Sequence, residues 1–442
     1  MLLDVEKWNM KVLLAAILAA LATAPHSATA QRSTQPNFVV FLVDDMGMAD
    51  LSVTGHPTIR TPHLDQMARE GLRFTSFYAA PACTPARGMF LTSRYPVRTG
   101  LLWPTGPGDS SGIKLDEITL PEALKARGYR TAMFGKWHLG DFETEPSFHP
   151  MKHGFDEFLG IPYSHDYFPI PPNGVPLYRD TRLIEQPVVH STMTKRLTEE
   201  TVRFIRESTG QPFFIYVAHP MPHIPIASSE EFRGHSLAGR YGDVVEELDW
   251  SVGQVLAALK ERRIDSNTVT VFMSDNGPWL GMSFQLYDRG PRGVKLQGDI
   301  GWSGMLRDGK GTTFEGGIRV PGIVRWPGTV PGGRVSSDIV SILDWFPTFV
   351  NAAGGKMPAD RPIDGVDITA LLRGTGPSAR KDLFYFFQSK LEAVRDGEWK
   401  LRVATAGPQL FNLSTDPAER YNVAATNPEI VARLQAKMDA FK

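Results

Sequence analysis

Short apolar segments rich in β-branched and aromatic residues alternate with segments of helical periodicity along most of the chain. Four apolar segments are predicted to be strands, at residues 38–43, 129–134, 213–218 and 268–273. Helices are predicted for residues 241–262 and for the segment that begins after Thr61 as N-cap and stops at Gly71. Strands that alternate with helices favour a mostly parallel sheet covered by helices on both faces. The sequence therefore predicts an α/β fold.

The last part of the chain has a different pattern. A predicted helix at 341–353 and a Gly/Pro-rich connector at 354–377 precede short strand-like segments at 383–387, 393–394 and 399–403 and a helix at 428–441. This order predicts a small antiparallel sheet with one helix beside the main domain. We place the main domain at residues 31–375 and the small α+β subdomain at 376–442, and assign no chemistry to the subdomain.

Composition excludes several classes of protein. The 442 residues include 47 basic and 48 acidic ones, a net charge of -1, so the chain lacks the positive footprint of a nucleic-acid binder. Its single cysteine excludes an intrachain disulfide and a cysteine-rich metal site.

The first 30 residues have the pattern of a cleavable signal peptide. Lys11 precedes an apolar run at 12–24, which ends in Ala28-Thr29-Ala30. The run is shorter than the roughly 20 residues that span a bilayer. We expect an exported protein, periplasmic or secreted, without a stable membrane anchor. Whether translation starts at Met1 or Met10 stays open.

Chargeable side chains follow each of the four predicted strands. In chain order these are Asp44 and Asp45, then Lys136 and His138, then His219 and His223, and finally Asp275 and Asn276. The carboxyl ends of parallel strands form one edge of a sheet, and ligands bind in α/β proteins at that edge. We therefore expect these side chains to meet in one site.

Asp44, Asp45, Asp275 and Asn276 offer three carboxylates and an amide oxygen. The three carboxylates would repel one another without a cation between them. Oxygen ligands suit Ca²⁺, or Mg²⁺, better than zinc. The alternative is that both pairs only begin turns.

Cys83 and Arg87 lie four residues apart in a segment predicted to begin a helix. Free amides at a helix start favour an anion, which Arg87 would reach from the same face. The alternative is a small buried cysteine without a chemical role.

Lys136 and Lys310 each lie among glycines, which would let the backbone approach a ligand beside the ammonium group. Ordinary turns are the alternative. The prolines around His219 and His223 forbid a helix, so a proton-transfer role suits this pair better than a helical metal site.

Taken in order, these motifs resemble the type I sulfatases, in particular arylsulfatase A and N-acetylgalactosamine-6-sulfatase. The matching segments are Asp44-Asp45, CTPAR at 83–87, GKWHLG at 135–140, HPMKHGFDE at 149–157, GIPYSHD at 160–166, DNG at 275–277, KGTTFEGG at 310–317 and DPAERYN at 416–422. The resemblance covers residues 37–422 and implies an alkaline-phosphatase-like α/β fold.

The resemblance also implies a chemistry. In this family a maturation enzyme oxidises the motif cysteine to formylglycine, and its hydrated aldehyde attacks the sulfur of a sulfate ester. Cys83 would be that cysteine, and the resulting sulfate ester on the enzyme would then release inorganic sulfate.

Residue roles follow from the same resemblance. Asp44, Asp45, Asp275, Asn276 and the modified Cys83 would hold the cation. Arg87 and His138 would hold the hydrate, and His138 would accept its proton. Lys136 and Lys310 would bind the sulfate oxygens with Ser164 nearby. His223 matches the leaving-group histidine better than His219, which we assign to substrate binding. We expect substrate selection at residues 281–308, which include Arg289, Arg292 and Trp302.

These expectations favour a sulfuric ester hydrolase acting on an aryl or carbohydrate sulfate. The alternatives are a phosphonate monoester or phosphodiester hydrolase of the same superfamily, and a catalytically silent, exported glycan-binding protein.

Overall fold

A computed structural model describes residues 35–167, 174–280 and 300–441. The strands are β1 (Asn37–Val43), β2 (Leu72–Phe74), β3 (Phe77–Tyr78), β4 (Arg130–Lys136), β5 (Glu157–Ile161), β6 (Leu177–Arg179), β7 (Arg182–Glu185), β8 (Phe213–Ala218), β9 (Thr268–Ser274), β10 (Gly322–Arg325), β11 (Arg334–Ser336), β12 (Val340–Ser341), β13 (Asp382–Phe387), β14 (Lys390–Asp396), β15 (Trp399–Ala404) and β16 (Gly407–Asn412).

The α-helices in the described ranges are α1 (Pro62–Arg69), α2 (Cys83–Thr92), α3 (Pro96–Thr99), α4 (Leu120–Lys125), α5 (Met193–Glu207), α6 (Gly239–Glu261), α7 (Glu315–Ile318), α8 (Trp345–Ala352), α9 (Thr369–Arg373) and α10 (Pro428–Asp439). The predicted signal peptide at 1–30 and most of the predicted selection segment, including Arg289 and Arg292, lie outside the described residues.

Ten of the described strands form one sheet in the order β11-β2-β10-β9-β1-β8-β4-β5-β6-β7. The central strand β1 runs parallel to both β8 and β9. Two strands run against their neighbours, β10 between β2 and β9 and β6 between β5 and β7. The sheet is therefore mixed but mostly parallel, which confirms the predicted fold class.

Helices cover both faces of this sheet, as the continuous apolar run of β1 requires. Phe38, Val40 and Leu42 face a core that includes side chains of α2 and α8. Val39, Phe41 and Val43 face the opposite core, which includes side chains of α1, α5 and α6. Alternate residues of β1 thus pack towards the helices on opposite faces of the sheet.

The predicted strands at 38–43, 213–218 and 268–273 agree with β1, β8 and β9 to within one residue at each end. The strand predicted at 129–134 instead runs from Arg130 to Lys136, so Lys136 is its last residue. The helix predicted at 341–353 is divided into a short 3-10 turn, Ile342–Asp344, and α8.

The start of α1 differs from the prediction. Thr61 does occupy the N-cap position, but its hydroxyl lies 2.7 Å from the Ser52 hydroxyl and caps no amide of the helix. Asp249 of α6 instead accepts hydrogen bonds from the amides of His63 and Leu64, at 3.1 and 2.7 Å. A distant carboxylate therefore satisfies the free amides of this helix.

The C-terminal residues form an antiparallel sheet in the order β13-β14-β15-β16. Leu434 and Met438 of α10 pack on Val394, Leu401 and Leu410. This confirms the small sheet with one helix, although β16 was not predicted. The boundary at residue 375 stays a prediction. Across the described ranges, no helix combines the length and apolar character needed to cross a bilayer.

Candidate active site

The acidic half of the site lies at the carboxyl ends of β1 and β9. Val43 pairs with Ser274 in the parallel register, so Asp44 and Asp275 follow at the same level. Asp45 has a φ of 67°, in the left-handed region, and its amide donates to Asp275 Oδ1 at 3.2 Å. The Asn276 amide group donates to Asp45 Oδ1 at 2.6 Å. The register of β1 with β9 and the turn at Asp45 thus bring the four predicted oxygen-bearing side chains together.

Arg87 supports these carboxylates from α2. Its guanidinium donates to Asp275 Oδ2 at 2.8 and 3.2 Å and to the Lys136 carbonyl at 2.7 Å, and it lies 3.6 Å from Asp44 Oδ2. All three charged side chains are fully buried. Burial, and then the neighbouring Asp44, raise the pKa of Asp275 to about 7.

Cys83 opens α2 between acidic and basic groups. Its thiol donates to Asp44 Oδ1 at 3.2 Å, and Lys310 Nζ lies 3.2 Å from the sulfur. Burial, and then the Asp44 carboxylate, raise the pKa of the Cys83 thiol well above its usual range. These surroundings disfavour a thiolate nucleophile at this position.

Two lysines form the basic half of the site. Lys136 Nζ donates to Asp44 Oδ2 and lies 3.1 Å from Ser164 Oγ. Lys310 Nζ lies 2.7 Å from Asp45 Oδ1. Burial alone would raise the pKa of Asp44, but Lys136, His223 and Arg87 hold it well below its usual range.

The glycines near Lys310 allow close packing between two backbone segments. A Cβ on Gly309 would collide with the Pro278 carbonyl, and the Lys310 amide donates to that carbonyl at 2.8 Å. The amide of Gly277 donates to the Gly317 carbonyl at 2.9 Å. These glycines let the Lys310 segment approach the loop after β9.

His223 faces the acidic half, whereas His219 does not. His223 Nε2 lies 3.5 Å from Asp45 Oδ2, and its Nδ1 donates to the Ile224 carbonyl at 2.6 Å. The ring of His219 stacks on Phe41, and its Nε2 lies 3.2 Å from Ser251 Oγ. Burial lowers the pKa of His219 to about 3. His219 is thus buried, and its described contacts are with Phe41 and Ser251.

His138 lies at the end of β4 with a φ of 59°. Its Nε2 donates to the Thr105 carbonyl at 2.8 Å, and its buried Nδ1 has no partner among the described residues. Burial, followed by Lys136 and Arg87, lowers its pKa well below the usual value. The neutral ring therefore has a free acceptor atom at Nδ1.

The donor set fits a hard divalent cation. Oxygens of Asp44 and Asp45 lie within 4.8 Å of the Cys83 sulfur and of a His223 ring nitrogen. The buried Oδ1 of Asn276 has no hydrogen-bond partner among the described residues. Asp275, in contrast, already accepts from Arg87 and from the Asp45 amide. Unsatisfied oxygens of this kind suit Ca²⁺ or Mg²⁺.

Sequence reasoning missed two residues at the rim of the site. The ring of Trp279 lies 5.5 Å from that of His223 and 4.9 Å from Lys310 Nζ. His165 Nε2 donates to the His223 carbonyl at 3.1 Å. Both follow predicted site residues closely, Trp279 after Asn276 and His165 after Ser164, and His165 also lies in the matching segment at 160–166.

The chain is similar to known proteins along most of its length. Residues 36–355 match the family model described as Sulfatase, and residues 306–442 match one described as N-sulphoglucosamine sulphohydrolase, C-terminal. The chain is 36% identical to N-acetylgalactosamine-6-sulfatase of Sus scrofa, over 97% of this chain and 88% of that protein. It is 38% identical to arylsulfatase A of Bos taurus, over 97% and 89%.

The fold is shared with a solved structure as well. The crystal structure of PsFucS1 sulfatase from Pseudoalteromonas sp. has a TM-score of 0.81 at 29% identity, covering 92% of this chain and 89% of that chain. Fold and relatives together define a hydrolase of sulfuric esters. The chain belongs to the sulfatase family, which confirms the resemblance drawn from its motifs.

Proposed function

We propose that this sulfatase hydrolyses a sulfate monoester of an aryl or sugar alcohol at the position of Cys83. One observation carries the proposal: the Cys83 sulfur lies 3.2 Å from both Asp44 Oδ1 and Lys310 Nζ, where the acidic and basic halves of the site meet. A relative named N-acetylgalactosamine-6-sulfatase supports a sulfated sugar as the substrate class.

Two groups complete the proposed site. A maturation enzyme would convert Cys83 to formylglycine, which supplies a hydroxyl nucleophile from its hydrated aldehyde. Ca²⁺, or Mg²⁺, held by Asp44, Asp45, Asp275 and Asn276 with the modified residue 83, supplies Lewis-acid stabilisation of the sulfate charge. The free Oδ1 of Asn276 supports this assignment.

The lysines bind the sulfate group. Lys136 and Lys310 end within hydrogen-bond distance of the carboxylates beside Cys83, and Ser164 lies 3.1 Å from Lys136. From these positions the two ammonium groups also donate to the oxygens of the bound sulfate ester. Cations fixed in advance stabilise the charge that builds up in the transition state without further reorganisation. Arg87 keeps Asp44 and Asp275 in place.

Two histidines move the protons. The Nδ1 proton of His223 is held by the Ile224 carbonyl, so Nε2, which faces the site, delivers a proton to the departing alcohol. The Nε2 proton of His138 is held by the Thr105 carbonyl, which leaves Nδ1 to accept a proton from the hydrate when sulfate is eliminated.

Turnover of model substrates tests the proposal. Protein produced together with a formylglycine-generating enzyme should hydrolyse 4-nitrophenyl sulfate, and Cys83→Ala should not. Faster hydrolysis of methyl 4-nitrophenyl phosphate would favour the phosphodiester alternative. Absence of both activities in protein that carries the modification would favour the silent glycan-binding alternative.

Export is a separate proposal. Residues 1–30 would be removed and the protein released to the periplasm or the medium, because Lys11, the apolar run at 12–24 and Ala28-Thr29-Ala30 have the pattern of a cleavable signal. Intact mass of the protein recovered from the periplasm tests it, because a chain that retains residues 1–30 would contradict a cleaved signal.

A further inference from the structure

A groove of about 550 Å³ is lined by Met48 and Ala49, which follow Asp45 in the chain, and by residues 302–306. Trp302 and Met305 line it with 46% and 66% of their surface exposed, and Met48, Arg73, Thr75 and Arg319 line its inner part. Its volume falls in the range of small-molecule sites. None of the site residues described above lines this groove, which we call the Trp302 groove.

The strand register places the Trp302 groove on the same edge of the sheet as the active site. Gly322 of β10 pairs with Met273 of β9 on one side and with Phe74 of β2 on the other. Thr75 therefore lies level with Ser274, two strands away. Neighbouring strands are about 4.8 Å apart, so the backbones of Thr75 and Ser274 are about 10 Å apart across the sheet. A chain of linked sugars is long enough to span this distance.

The charges of the Trp302 groove suit an anion. The described residues that line it include two arginines and no carboxylate. Arg319 donates to the Thr75 carbonyl at 2.6 Å and lies 3.4 Å from Glu315. Half-buried Arg73 forms no ion pair or side-chain hydrogen bond with any described residue. An unpaired guanidinium in a groove is an available donor for a sulfate or carboxylate.

A second groove of similar volume differs in the pairing of its arginines. It lies between α5 and α6, and its arginines are already paired with glutamates, Arg203 with Glu200 and Glu207, and Arg206 with Glu261. Available positive charge therefore distinguishes the Trp302 groove from an ordinary surface depression.

Trp302 is held in position for a ligand. Its amide donates to Asp50 Oδ1 at 2.7 Å, and its carbonyl accepts from the Ala49 amide at 3.0 Å. The ring edge of His56 lies against it at 5.9 Å. A fixed, half-exposed indole offers a flat apolar face to a sugar ring.

We propose that the Trp302 groove is an accessory subsite that binds a second sulfated sugar unit of the same substrate chain. Arg73 binds the sulfate group of that unit, Arg319 adds positive charge, and Trp302 packs on the sugar ring. This inference rests on the proposed function, because it assigns the substrate to sulfated oligosaccharides rather than to isolated aryl sulfates.

Calorimetric binding to the Cys83→Ala protein tests the subsite without turnover. The probe is a dextran sulfate fraction of about six sugars, with unsulfated dextran of the same size and inorganic sulfate as controls. Arg73→Ala should weaken dextran sulfate binding about tenfold, the loss expected for one charge-assisted contact. Trp302→Ala should weaken it as well. Arg182→Ala, an exposed arginine on β7 at the far end of the sheet, should stay within twofold.

Three results would overturn the proposal: no binding to the parent protein, Arg73→Ala within twofold of the parent, or an equal loss in Arg182→Ala. Thermal unfolding establishes that each variant is folded, and Arg73→Gln replaces Arg73→Ala if that variant does not fold. Hydrolysis of 4-nitrophenyl sulfate by the unmutated protein is measured separately. Loss of that activity with intact dextran sulfate binding would contradict the proposed function alone, whereas the reverse would contradict the subsite alone.

Discussion

Arg87 Nη2 and Asp275 Oδ2 lie 2.8 Å apart with no exposed surface on either side chain. This pair joins α2, which begins at Cys83, to the loop after β9, which carries Asn276. The contact therefore holds the proposed nucleophile position and the proposed cation ligands in one arrangement.

Replacing Arg87 should cost stability as well as activity. Arg87→Ala leaves Asp275 buried without its partner, and removing one member of a buried pair costs about 3–5 kcal/mol. The free energy of unfolding in urea, measured with EDTA present, checks this. Arg182→Ala is the exposed control and should change stability by less than about 0.5 kcal/mol. A loss below about 1 kcal/mol for Arg87→Ala would contradict the structural role of the pair.

Lys310 should contribute to the transition state. Lys310→Ala removes a fixed cation 3.2 Å from the Cys83 sulfur, and kcat for 4-nitrophenyl sulfate should fall about 10²–10³-fold. Lys114→Ala, which alters an exposed lysine, serves as the matched control and should retain normal turnover. A kcat for Lys310→Ala within threefold of the parent would remove Lys310 from the mechanism.

His223 and His219 should differ in effect. His223→Gln removes the proton donor at Nε2, so kcat should fall about 10²-fold or more for a sugar sulfate, a poor leaving group, and much less for 4-nitrophenyl sulfate. His219→Gln alters a core ring paired with Ser251 and should stay within about threefold on both substrates. Equal losses in the two variants would show that the structure does not separate the roles of these histidines.

Asp50 should make stability depend on pH. Burial raises its pKa to about 7, against about 4 in the unfolded chain, so the folded state holds a proton between these values that the unfolded state has lost. The contribution of Asp50 to stability therefore falls as pH rises from 4 to 7, by about 1.4 kcal/mol per unit.

The Asp50→Asn variant tests this. Residue 50 of this variant cannot titrate. The free energy of unfolding of the variant minus that of the parent should therefore increase as pH rises from 5 to 7, and this difference should be constant above pH 8. A constant difference between the two proteins across this range would contradict the raised pKa.

Replacing Lys400, which lies in the C-terminal sheet, should lower the free energy of unfolding. Its fully buried ammonium lies 2.9 Å from both Glu315 and Glu419, and Glu315 begins α7, beside the Lys310 segment. Lys400→Met leaves Glu419 buried without its cation and leaves Glu315 with Arg319 at 3.4 Å, and we expect a loss of about 3–5 kcal/mol in unfolding free energy. Lys390→Met, at a side chain 60% exposed, is the control. Equal stability of the two variants would show that this cluster does not stabilise the fold.

Long apolar strands were predictable because burial on both faces produces an uninterrupted run of hydrophobic residues, as in β1 and β8. The short strands β6 and β7 were not, since three or four partly exposed residues show no such pattern. β16 was missed because Gly407 and Pro408 at its start are typical of a turn.

The site residues that directly follow a strand, such as Asp44, Asp45 and Asp275, could be predicted from the sequence. Only the family resemblance favoured His223 over His219 as the leaving-group histidine, because the proline-rich loop has no period that fixes which ring faces the sheet edge. The contact of Lys400 with Glu315 joins residues 85 positions apart, and no local pattern marks it. Arg73 was not predicted as a binding residue, because a single charged residue in a strand is common.

The mass of the peptide that contains Cys83, taken from fully active protein, tests the central claim most directly. The account predicts a peptide about 18 Da lighter than the cysteine form, because an aldehyde replaces the thiol. Full activity on 4-nitrophenyl sulfate in protein whose peptide has only the unmodified cysteine mass would contradict it.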